Sequence, residues 1–196
     1  MFRLSQIVGF AATIAVCSSP VFAHTGHEIG HTAIQGFLHP LSGIDHILAM
    51  VSVGVLAFCV GGRAIWSVPL AFVLMMAVGG ALGAAGVELP GVEQGIAASV
   101  LILGALIAAA IRVPLLCATV LVGAFAVFHG IAHGLEGVGN GVVPSSYFLG
   151  FIAATIALHG AGIALGVTFN AAERTRPLQR AAGAVVGLVG LVMVFG

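Results

Sequence analysis

The chain has no lysine, and charged residues of any kind fill only 6% of its 196 positions. A soluble domain carries roughly a quarter of its residues as Asp, Glu, Lys or Arg. So few charges cannot cover a water-facing surface, which excludes a soluble fold. The missing lysine also excludes a Walker-type phosphate loop, whose lysine reaches the nucleotide phosphates. The chain therefore carries no P-loop ATPase of its own. Six arginines balance six acidic residues, so the formal net charge is zero and there is no basic footprint for nucleic acid. Cysteine is scarce as well. Cys17, Cys59 and Cys117 form no CxxC pair and no framework, so a structural disulfide is not expected.

What the chain does have is apolar length. Hydrophobic residues make up 60% of it, and glycine occupies 29 positions, about twice the usual share. In a bilayer, that much glycine points to closely packed helices. The expected fold is all-α: a polytopic membrane protein of six transmembrane helices after a cleavable signal peptide. Residues 1–23 read as that signal, with Arg3 as its positive start, Ile7 to Val16 as its apolar core and Val21-Phe22-Ala23 as the cleavage site. Ser18-Ser19-Pro20 breaks the short apolar stretch, which favours cleavage over an uncleaved first span. The mature chain would begin at His24, outside the cytoplasm, with a periplasmic arm over residues 24–37. His24, His27, Glu28 and His31 in this arm suit the gathering of a divalent cation, and suit a solvated tail equally well.

Residues 38–196 form the expected membrane domain. Its apolar runs, at 38–60, 66–87, 94–111, 113–134, 145–169 and 179–195, are each near the ~20 residues that span a bilayer. Gly79/Gly83, Gly162/Gly166 and Gly183/Gly187 have the four-residue spacing that lets helix backbones approach. The short link at Arg112–Pro114 makes the third and fourth runs antiparallel neighbours. With the mature N-terminus outside, Arg63, Arg112, Arg174, Arg176 and Arg180 all fall in cytoplasmic links. Glu88, Glu93 and Glu136 then fall on the other side, in keeping with the positive-inside rule. The C-terminus would also be periplasmic. Six crossings divided three and three fit an inverted repeat, with Phe37-Leu38-His39 echoed by Phe128-His129.

Two polar segments interrupt the apolar background. The first is His39-Pro40-Leu41-Ser42-Gly43-Ile44-Asp45-His46. Pro40 suits the first turn of a helix, with His39 near its N-cap. A continuous helix onward would set His39, Ser42 and His46 on one face, about 10 Å apart along the axis, with Asp45 flanking. The second segment is Phe128-His129-Gly130-Ile131-Ala132-His133-Gly134-Leu135-Glu136. Here His129, His133 and Glu136 stand at i, i+4 and i+7 of one helix face. Alternation of the spans brings His39 level with His133 and Glu136. It brings Asp45 and His46 level with His129, two turns deeper. His159, in the fifth run, lies farther toward the cytoplasmic side with Thr155 one turn away. It reads either as a deeper station on a path or as a lone hydrogen-bonded core histidine.

Ionisable groups within a span mark a functional site by default. Interhelical hydrogen bonds, worth about 0.6–2 kcal/mol, account for one or two such groups. They account poorly for four histidines and two carboxylates at matched depth, so metal coordination is favoured. Imidazole with carboxylate suits nickel, cobalt, copper, iron or zinc. The ligating form of histidine is neutral, so binding weakens as pH falls. Asp45 would ligate directly or orient a ligating histidine. No HExxH is present, which removes the common helical metalloprotease reading.

The paired motifs His39-x5-Asp45-His46 and Phe128-His129-Gly130-x-Ala132-His133-Gly134-x-Glu136 resemble those of the HupE/UreJ family. These are hydrogenase- and urease-accessory membrane proteins regarded as nickel or cobalt permeases, and the resemblance covers nearly the whole chain. It implies a multi-pass bacterial inner-membrane protein that imports Ni²⁺ or Co²⁺ from the periplasm. It further implies that His39, Asp45, His46, His129, His133 and Glu136 are the essential residues. Such a protein would be neither an enzyme nor the holder of a prosthetic group. Its partners would be the ion, the lipid bilayer and cytoplasmic nickel or cobalt acceptors. One rival is an intramembrane zinc hydrolase with three ligands and an open position for water. Another is a metal sensor or chaperone without transport.

Overall fold

Thr32 starts the first helix. Its hydroxyl accepts from the Gln35 backbone N–H, and the Gln35 side chain accepts from the Thr32 N–H, a reciprocal capping box. The computed structural model describes residues 32–139, 145–170 and 175–196. The expected signal segment, His24, His27, Glu28 and His31 of the arm, and Arg174 lie outside these residues. The described residues contain seven helices and no strand. They are α1 (Ala33–Ser42), α2 (Ile44–Val60), α3 (Ala64–Ala84), α4 (Val92–Ala109), α5 (Leu115–Gly139), α6 (Ser145–Asn170) and α7 (Arg176–Phe195).

Helices α3 to α7 are each long and apolar enough to cross a membrane, and α1 with α2 meets the same test only as a pair bent by 88°. The continuous helix expected through His39 and His46 is therefore replaced by an elbow at Gly43, whose backbone is extended. Pro40 does not open a helix; it sits near the end of one that begins at Ala33. The capping box explains the earlier start. Pro40 lacks the N–H that would bond one turn back, which loosens the helix just before Gly43. His39 and His46 thus belong to two helices at a right angle, not to one face of a single helix.

Close backbone approach organises the bundle. A Cβ on Gly79 or Gly83 of α3 would strike the carbonyl of Val127 or Ile131 on α5. One on Gly130 or Gly134 would strike the carbonyl of Met76 or Gly80 in return. Gly54 of α2 meets Gly162 of α6 in the same way, and Gly104 of α4 meets Gly183 and Gly187 of α7. In lipid, where apolar surface has little reason to leave its solvent, such contacts supply much of the helix association. Met50, Val53, Leu56, Phe72, Met76, Leu103, Val122 and Phe151 fill the core between these pairs.

The helix ends sort into two sets. At one end, Gln179 donates to Cys59 Sγ (3.1 Å) and accepts from Asn170 Nδ2 (2.6 Å), while Arg180 Nε donates to the Ala108 carbonyl (2.9 Å). The C-terminal ends of α2, α4 and α6 therefore gather with the start of α7. The elbow and Glu136 lie at the opposite end.

The packing predicts opposite outcomes at two glycines. Gly130→Ala forces the α3–α5 contact apart and should lower stability by about 1–3 kcal/mol. Gly160 faces open space, so Gly160→Ala should be neutral or stabilising by up to about 1 kcal/mol. Thermal unfolding of both variants in detergent checks the contrast.

Candidate metal site

The elbow at Gly43 carries the first donors. A Cβ on Gly43 would sit 2.6 Å from Asp45 Oδ1 and 2.9 Å from His46 Nδ1. Glycine leaves that space to the pair, which are 2.9 Å apart. The second donor set hangs from α5, where His129, His133 and Glu136 are spaced to share a face. His133 Nδ1 lies 3.1 Å from Glu136 Oε2.

The two sets meet. His46 Nε2 is 2.6 Å from His133 Nε2. The His46 ring centroid is 5.1 Å from that of His129. The bend in the chain swings His39 onto the same group: its ring is 4.9 Å from His133, and its Nε2 is 3.6 Å from Glu136 Oε2. His39, His133 and Glu136 each offer a ligand atom, all within 4.8 Å of one another. Phe151 packs on both His133 and His39, and Tyr147 lies beside His39. Exposure falls along the group. The side chains of His39 and Glu136 are 31% and 28% exposed, whereas His129 is fully buried. The site is thus open at the elbow end and closed below.

The hydrogen-bond pattern fixes what the rings present. A neutral imidazole has one N–H. His46 and His133 each turn Nδ1 toward a carboxylate, which can only accept, so each Nδ1 carries the hydrogen. With both rings neutral, the two Nε2 atoms, 2.6 Å apart, are left as acceptors only. Two such acceptors repel, and a shared proton or a metal cation on which both nitrogens converge removes the conflict.

A family profile described as HupE / UreJ protein matches residues 12–193. The chain belongs to the HupE / UreJ family. Protein HupE of Rhizobium leguminosarum bv. viciae is 42% identical over 194 residues, covering 99% of this chain and 100% of that protein. No solved structure matches the chain. The HupE / UreJ match spans both histidine segments, and neither comparison lends support to the hydrolase alternative.

Of the site residues expected in this HupE / UreJ chain, His39, Asp45, His46, His129, His133 and Glu136 come together, and His159 stands apart. Phe72 of α3 lies between His159 and His129, with ring centroids 5.1 Å and 5.6 Å away respectively. His159 is 2% exposed, and neither of its ring nitrogens has a hydrogen-bond partner among the described residues. The core-histidine reading calls for a partner carbonyl, and none lies within hydrogen-bond reach among the described residues. Thr155, one turn away, turns its hydroxyl to the Phe151 carbonyl.

Sequence reasoning missed Ser99, Phe72, Tyr147 and Phe151. Ser99, on α4, lies 3.2 Å from His129 Nε2. A serine or an aromatic residue in an apolar run gives no spacing signal, because its role depends on which helix it faces. Tyr147, Phe151, Thr155 and His159 do recur every fourth residue, and that stripe was available to be read.

If the His46 and His133 rings touch, their removal is not additive. The double variant His46→Ala/His133→Ala should depart from the sum of the single effects by about 0.5–3 kcal/mol in thermal unfolding. Strict additivity would place the two rings apart.

Proposed function

We propose that this HupE / UreJ family protein carries a divalent transition-metal ion, Ni²⁺ or Co²⁺, from periplasm to cytoplasm as a secondary permease. The observation that carries the reading is the 2.6 Å approach of His46 Nε2 to His133 Nε2, each ring backed by a carboxylate at Nδ1. One cation satisfies both. Ligand bonds of about 2.0–2.1 Å to a shared ion place two ring nitrogens roughly 3 Å apart, so the rings need to part by only a few tenths of an ångström. Asp45 and Glu136 orient the rings and supply negative charge against the incoming ion. His39 and Glu136, at the exposed end, meet it first.

In this reading α1 and α2 make one broken span and the chain crosses six times after cleavage of residues 1–23. Both mature termini are periplasmic. The helix ends near Arg63, Arg112, Arg176 and Arg180 face the cytoplasm, as the arginine placement favours. The division into three and three supports an inverted repeat. The pairing of the second span with the fourth (α3–α5) and of the fifth with the broken first (α6–α1/α2) has the symmetry such a repeat requires. His24, His27, Glu28 and His31 gather the ion. His39, Asp45, His46, His129, His133 and Glu136 replace its water. His159, buried with both nitrogens unsatisfied, receives it deeper. Inward movement of a doubly charged ion gains roughly 4.6 kcal/mol per 100 mV, and cytoplasmic acceptors add a sink. The ion is cargo, so the ligand set stays short of a closed cage and permits release.

Radioactive nickel accumulation in cells, at matched membrane expression, tests the reading. His46→Ala and Asp45→Ala should each lower uptake by tenfold or more. Uptake at the unaltered level in both variants refutes the assigned site. Uptake of cobalt but not nickel by the unaltered protein fixes the ion instead.

A further inference from the structure

We propose that Ser99 is a positioning residue that holds His129 in the Nε2–H form, so that His129 offers Nδ1 to the ion. The inference deepens the transport reading and rests on it. Ser99 is fully buried on α4 and reaches across to α5. Its hydroxyl has one hydrogen, and that hydrogen goes to the Ile96 carbonyl of its own helix at 2.6 Å. With the donor spent, the Ser99 oxygen can only accept at its second contact, His129 Nε2 at 3.2 Å. His129 Nε2 therefore carries the ring hydrogen, and Nδ1 is left with the lone pair. That Nδ1 is buried and has no hydrogen-bond partner among the described residues.

The arrangement differs in kind from that of His46 and His133. Those rings are held through Nδ1 by carboxylates and present Nε2. His129 is held through Nε2 by a neutral hydroxyl and presents Nδ1. A partner on the far nitrogen fixes ring orientation and tautomer, and its loss typically weakens metal binding 10–100-fold. A neutral partner adds no negative charge at the closed end of the site. His129 is thereby kept a weaker ligand than the two carboxylate-backed rings, as suits the ligand from which the ion departs inward.

Two readouts test this. In the first, ¹⁵N-histidine-labelled protein in lipid nanodiscs is observed by NMR, with the His129 signal assigned by its loss in His129→Gln. The unaltered protein should show a protonated Nε2 and a bare Nδ1. Ser99→Ala should lose that bias, and Ser99→Thr, which keeps the hydroxyl, should retain it. In the second, nickel uptake by Ser99→Ala should show KM raised about tenfold or more, with recovery in Ser99→Thr. A protonated Nδ1 on His129 in the unaltered protein overturns the inference, and so does an unchanged KM in Ser99→Ala. An unaltered protein that takes up no nickel or cobalt defeats the transport reading alone, because the tautomer measurement needs no ion.

Discussion

Polar side chains inside a bilayer have no water to fall back on, and that constraint shapes the whole bundle. His39, His46, His129 and His133, with Asp45 and Glu136, form a large polar assembly in an apolar core. Each carboxylate takes up one nitrogen of an imidazole, and Ser99 takes up one of another. The second nitrogens of His46 and His133 meet each other, and His129 Nδ1 has no hydrogen-bond partner among the described residues. In the proposed reading a cation takes up these nitrogens. The rest of the fold sets the separation of these donors.

Glycine provides the separation. The contact of Gly79 and Gly83 with Gly130 and Gly134 locks α5 against α3, and so sets where His129 and His133 project. Gly54 against Gly162 does the same for α2, which carries His46, and α6, which carries Phe151 and His159. The elbow at Gly43 then delivers His39 from an unexpected direction, across the open end of the bundle. Each of these contacts lies one or two turns from a site histidine, so the packing of the helices and the geometry of the donors are a single problem.

Much of this was legible in the residues. Charge scarcity gave the membrane, the histidine spacings gave the two donor sets, and the glycine pairs gave the tight contacts. Alternation of the spans set His39 beside His133, as found, and His46 beside His129, whereas the elbow brings His46 closest to His133. The elbow was hidden because the apolar run from 38 to 60 is long enough to span, and length outweighed the Pro40–Gly43 break. Thr32-x-x-Gln35 was a readable helix start that moves Pro40 to the end of α1. Ser99 and Phe72 were out of reach: nothing local marks a serine that faces a histidine thirty residues away in sequence.

The central claim is that His46 and His133 share one ion. Nickel K-edge X-ray absorption on purified, nickel-loaded protein tests it most directly, with the bound metal counted on the same samples. The account predicts one ion per chain with at least two imidazole ligands, and the loss of one imidazole in each of His46→Ala and His133→Ala. An imidazole count unchanged by either substitution would contradict it.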